Sequence, residues 1–206
     1  QRSPLTVYQN RPFALFLTLF NRAGYDATAV NIALANYDQT YLQIFSAEQV
    51  VPSIGARDAF TDDNGGRADI LFSGDVLSLR DAQEKAEKYR IYVSYQSKME
   101  FAPTIFVNTA AYRLFDAGCE MPSRPVSFAG QGAPLAVTQM EEIVVGSLDV
   151  PELELRFTVE NRGRGDVKRV RLGQSRIGNQ PLPCQFKGVV EHDDGSVSFK
   201  PGKQES

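Results

Sequence analysis

The chain has 206 residues, 42% apolar and 23% charged, close to globular averages, so it can bury a core and is not disordered by composition. Its net charge is −3, and its 22 Lys and Arg are scattered in nothing longer than a pair, which excludes the concentrated basic footprint of a nucleic-acid groove. The longest apolar run, Phe13 to Phe20, is interrupted by Thr18 and falls far short of the ~20 residues that span a bilayer as a helix.

Taken in chain order, the opening "QRSP" has neither Met nor a charged-then-apolar leader, and is expected to be a mature or trimmed terminus. Leu15, Leu17 and Leu19 then fall at every second position, the period of a strand with one face in a core. The strand ends in "NRAGYDA", where Asn and Gly supply a tight reversal, and Val30-Ile32-Leu34 begins the next alternating run. The same sentence is written again near the C-terminus. With Asn21 laid on Asn161, the pairs Leu15/Leu155, Thr18/Thr158, Arg22/Arg162, Asp26/Asp166 and Val30/Val170 are identical. The two copies differ on the outward face, which is Glu154, Arg156, Thr158 and Glu160 in the second but Ala14, Phe16, Thr18 and Phe20 in the first. Two phenylalanines on what should be the wet side of a sheet imply cover, from the chain itself or from another protein, and make Phe16 and Phe20 a candidate protein interface.

Between the copies, "TYLQIFSAEQVV", "GRADILFSGDV", "EKYRIYVSYQSKM" and "TIFVNTAAYRLF" continue the pattern of short β-branched and aromatic runs divided by turn residues. Asp58, Asp62, Asn64 and Asp69 form an oxygen-rich loop that is a weak calcium candidate, since Ser73 stands where an EF-hand needs its bidentate Glu and an ordinary polar turn is the better explanation. Residues 78–88, "SLRDAQEKAEK", are the one helix candidate. The Pro-, Gly- and Ser-rich stretch 122–134 is the expected seam between a first domain of residues 1–121 and a smaller second domain of residues 122–206. Beyond it "PLAVTQMEEIVV", "QFKGVVE" and "SVSFK" give further strands, and "HDDG" gives a hairpin with Asp194-Gly195 at its tip. The expected fold class is therefore all-β, built as sandwiches.

The pattern "LFLTLFNRAGYDATAVNIAL", with "SYQSKMEFAPTIFVNT" and "GQGAPLAVTQMEE", resembles archaeal secreted or cell-surface proteins with tandem immunoglobulin-like, cell-adhesion-related domains. The resemblance implies two immunoglobulin-like β-sandwich domains outside the cell, the second lacking its closing strand, and no reaction. Cys119 and Cys184 are too few for a zinc site; they allow one disulfide, with a partner elsewhere for each or two free thiols as the alternatives.

Nothing in the chain has the spacing of a catalytic constellation. His192, the single histidine, sits in a turn without a strained nucleophile motif, and there is no Trp to form a sugar platform beside a carboxylate pair. Arg22 and Arg162 are explained by strand packing or by pairing with Asp26 and Asp166. The expectation is a non-catalytic extracellular or cell-surface module, without cofactor, that spaces or adheres through sandwich edges and loops, with a protein partner or a second copy of itself. A carbohydrate-binding or accessory domain of an exoenzyme, and a filament subunit completed by a donated strand, are the alternatives.

Overall fold

The computed structural model describes residues 6–57, 65–79, 84–105, 125–129, 132–146, 151–187, 189, 191–201 and 204–205. These residues form strands and no helix, and the chain divides into two compact units, Gln1–Lys98 and Met99–Ser206. The division falls ahead of the 121/122 boundary expected from composition. Phe101 belongs with the second unit because its ring packs edge-on against Phe128 and Phe157, with centroids 4.9 and 6.1 Å away.

In the first unit, β1 (Arg11–Phe20), β5 (Arg67–Val76) and β3 (Leu42–Ile44) form one sheet in the order β1-β5-β3. A second sheet has the order β4 (Glu48–Ile54), β2 (Ala27–Ala35), β6 (Arg90–Gln96). The alternation read in the sequence becomes the core between them. Val30, Ile32 and Leu34 of β2, Ile54 of β4, and Ile70 and Phe72 of β5 are buried, and Leu15, Leu17 and Leu19 of β1 pack against them. Ile32 and Phe72 are 0% exposed, and burying each contributes about 1.5–3 kcal/mol.

In the second unit, β7 (Val126–Ser127), β8 (Leu135–Gly146), β9 (Pro151–Asn161) and β14 (Gln204–Glu205) form a sheet in the order β14-β9-β8-β7. β10 (Val167–Val170) pairs with β13 (Val197–Phe199), and β11 (Arg176–Ile177) with β12 (Gln180–Pro181). Ala136, Val137, Met140, Val197 and Phe199 are buried here, and the Phe186 ring meets Phe199 at 5.8 Å.

The repeated sequence is a repeated geometry. Asn21 Nδ2 donates to the carbonyls of Tyr25 (2.9 Å) and Ile54 (3.0 Å), and Asn21 Oδ1 accepts from the Ala23 amide (3.1 Å). Asn161 does the same with the carbonyls of Gly165 (2.8 Å) and Phe199 (3.2 Å) and the Gly163 amide (2.9 Å). In both units the side chain closes its own turn and ties it to the strand paired with the next one in the chain, β4 beside β2 and β13 beside β10. The registers correspond as well: Ala27 faces Ile54 as Val167 faces Phe199, and Phe20 faces Arg67 as Glu160 faces Gln204. Ala29 and Arg169, at matching positions, both have positive φ, 47° and 56°; the register slips there against β6 in the first unit, between Thr28 and Asn31, and against β13 in the second, between Val167 and Val170. Gly65, at φ 70°, ends the loop before β5 so close to Asn21 that a Cβ there would collide with the Asn21 carbonyl.

The helix candidate over residues 78–88 does not form in its described parts. Residues 78–79 and 84–89 are non-helical, and tertiary contacts explain why. Lys85 Nζ donates to Asp38 Oδ2 at 2.6 Å and lies 3.5 Å over the Tyr41 ring, while Glu87 Oε1 accepts the Asp38 amide at 3.0 Å. Good helix formers are thus held as irregular chain against the β2–β3 turn, and local propensity yields.

Candidate interaction surface

β1 turns its leucines inward, so the alternate residues Ala14, Phe16, Thr18 and Phe20 come to the outer face, opposite Ser73, Leu71, Asp69 and Arg67 of β5. Phe16 is 77% exposed, Phe20 47%, and Leu71, directly across from Phe16, 48%. Phe16, Leu17, Thr18, Phe20 and Arg67 line a shallow open depression. The cover expected for these rings is not supplied by the described residues of the first unit. The matching positions of β9 are polar: Arg156 Nε pairs with Glu154 Oε1 at 2.9 Å, and Glu160 Oε2 meets Arg162 Nε at 3.4 Å. An apolar outer face is therefore not needed to make this strand, and its presence in the first unit is a property of surface rather than of fold.

Among the described residues β1 is an edge strand. β5 covers one side, and among the described residues no strand lies on the other. In the second unit β14 stands where β5 stands, and the remaining edge of β9 is filled by β8, antiparallel from Leu135 opposite Asn161 to Gly146 opposite Pro151. Asn10 donates its amide to the Val76 carbonyl at 2.7 Å and Gln9 Oε1 accepts from the Leu79 amide at 3.2 Å, which ties the start of β1 to the end of β5.

Of the other sequence-derived sites, Asp69 lies on this surface. Of the oxygen-rich loop, Asp58, Asp62 and Asn64 lie outside the described residues. Asp69 Oδ1 accepts from Thr18 Oγ1 (2.7 Å) and Arg67 Nη2 (2.9 Å), and Asp69 Oδ2 pairs with Arg67 (2.7 Å). The Thr18 hydroxyl first, and Arg67 second, hold the Asp69 carboxyl below the usual carboxylate range. Both oxygens are turned to donors on the sheet, and no cluster of three or more metal-ligating side chains occurs among the described residues. Cys184 is an exposed free thiol, and its expected disulfide partner Cys119 lies outside the described residues.

His192 Nε2 meets Ser198 Oγ at 2.8 Å on the surface of the turn whose tip is Asp194-Gly195. Asp194, which a triad would need beside the imidazole, is engaged elsewhere, accepting from the Ser196 amide (3.1 Å) and hydroxyl (2.5 Å) and from Arg171 (2.9 Å). The Ser196 hydroxyl and amide, then Arg171, hold its carboxyl well below the usual range. This group stabilises a hairpin turn. Asp26, expected beside Arg22, accepts from the Ala56 amide at 2.7 Å instead, and Arg162 faces Glu160 rather than Asp166.

No helix among the described residues is long and apolar enough to cross a membrane. No protein-family model matches the chain, and no curated protein or solved structure matches it either.

Proposed function

We propose that the chain is a non-catalytic module of an extracellular or cell-surface protein, two tandem immunoglobulin-like sandwiches that space or adhere by protein contact. The observation that carries this reading is the contrast between equivalent positions: Phe16 stands 77% exposed where the second unit has a salt-bridged Arg156. Contiguous exposed aromatic surface on a sheet is disfavoured unless a partner uses it. The polar clusters support the reading from the other side, since Asp69, Asp194 and His192 are each taken up by neighbours that stabilise strands or turns.

The test combines location with contact. Protease treatment of intact cells is expected to release the protein, and the double change Phe16→Thr with Phe20→Thr is expected to abolish its attachment or assembly while leaving its melting temperature within a few degrees. Attachment unchanged by the double substitution, together with polysaccharide binding and calcium-dependent thermal stabilisation, would overturn this reading in favour of an exoenzyme accessory domain.

A further inference from the structure

We infer that the outer face of β10, in the second unit, binds an acidic polysaccharide. The inference goes beyond the reading of β1 as a protein contact, uses a different surface of the chain and does not depend on it.

The cations of this face never stand more than two together in the sequence; the fold gathers them. Val167 faces Phe199 and Val170 faces Val197, so the register slips by one residue and Lys168 and Arg169 lie together opposite Ser198. Phe199 and Val197 are buried while Lys168 and Arg169 are both exposed, which puts the two cations side by side on the outer face. Arg164, in the turn ahead of β10, and Lys200, next to Phe199, are exposed as well. Two neighbouring cations are matched: Arg162 meets Glu160 at 3.4 Å and Arg171 meets Asp194 at 2.9 Å. Arg164, Lys168, Arg169 and Lys200 have no carboxylate partner among the described residues, and Asp166 is the one acidic residue within 162–176.

The scaffold does not require these charges. With Asn21 laid on Asn161, Arg164, Lys168 and Arg169 fall on Gly24, Thr28 and Ala29, and Lys200, by its place after Phe199, falls on Gly55 after Ile54. Four neutral positions of the first unit are thus four unmatched cations in the second. Like charges crowded together repel, and a ligand bearing several anionic groups relieves several of them at once. The surroundings select its class. To the cations, the outward side of β10 and β13 adds the Ser198 hydroxyl, which lies 2.8 Å from His192 Nε2. The face holds no Phe, Tyr or Trp on which a nucleic-acid base would stack. Nor does it hold an apolar side chain to enter a bilayer or to form the core of a protein contact. Arginine and lysine beside hydroxyl and imidazole groups suit carboxylate or sulfate groups carried on a hydrophilic chain.

The test uses the whole chain, with titration calorimetry against polygalacturonate and dextran sulfate and with neutral dextran as the control. Binding to at least one acidic polymer is expected at low salt, weakening steadily as salt rises, with none to dextran. Whichever polymer binds more tightly names the anionic group. Lys168→Thr with Arg169→Ala installs residues that the first unit carries at the same positions. It should weaken binding ~10-fold or more and flatten the salt dependence while leaving the circular dichroism spectrum unchanged. Arg90→Gln, at an exposed cation of β6, should leave binding as it is. No binding to either polymer at low salt, binding indifferent to the double change, an equal loss from Arg90→Gln, or binding to phosphatidylglycerol vesicles in place of the polymers overturns the inference. Attachment to cells that depends on Phe16 and Phe20, and polymer binding that depends on Lys168 and Arg169, are separate readouts, so either surface can fail while the other stands.

Discussion

Asn161 is 1% exposed and satisfies three backbone groups with one amide, so its loss cannot be made good by water as readily as at half-buried Asn21. Asn161→Ala leaves the Gly163 amide and the carbonyls of Gly165 and Phe199 without that partner, at a cost of about 2–4 kcal/mol; Asn21→Ala should cost about 1–2 kcal/mol. Asn161→Asp is the sharper change, since it keeps the acceptor and places a carboxylate oxygen against two carbonyls. Urea unfolding of the three variants checks the order, and equal costs at Asn21 and Asn161 would mean that burial does not set the price. This role was legible in the sequence because the residue recurs with its turn. The positive φ at Ala29 and Arg169 was not, because its signal is a backbone conformation shared by two side chains with nothing in common.

At the scale of elements, strands that alternate could be read directly, whereas which strand lies beside which could not. β5 follows β1 in the chain and β8 precedes β9, and each is a fitting neighbour for the same repeated strand on opposite edges. Pairing is decided by contacts distant in sequence, which no local period records. The 84–89 segment shows the same limit, and it yields a pH prediction. Lys85 first, and the Thr40 amide next, lower the Asp38 carboxyl from 3.8 to about 2. A carboxyl whose folded value lies below its unfolded one adds stability that is fully present above the unfolded value and is lost as pH falls through the folded value. The link between this segment and the β2–β3 turn should therefore be intact above about pH 4 and released progressively toward pH 2. Carbon-detected titration of Asp38 reads it directly, and Lys85→Met should move the midpoint back toward 3.8. A midpoint unaffected by Lys85→Met would show that the ion pair is not formed in solution.

For the molecule as a whole, what matters is that each unit encloses its own apolar centre. Phe72 is 0% exposed among β2, β4 and β5 residues of the first unit, and Phe199 is 1% exposed among those of the second. Large-to-small truncation at either should cost about 3–5 kcal/mol, since a close-packed interior collapses only partly around the hole. The units are compact separately, so the damage should stay where it is made: Phe72→Ala should speed amide exchange in peptides from β2 and β5 while those from β8 and β9 keep wild-type protection, and Phe199→Ala should do the reverse. The measurement also bears on how the duplicated scaffold has diverged. If the two sets of peptides lose protection together in either variant, the chain unfolds as one cooperative body, and the exposed face of β1 would have to be weighed against stability as well as against association. If they separate, the first unit is free to present an uncharged edge and bare aromatic rings while the second keeps the charged version of the same strand.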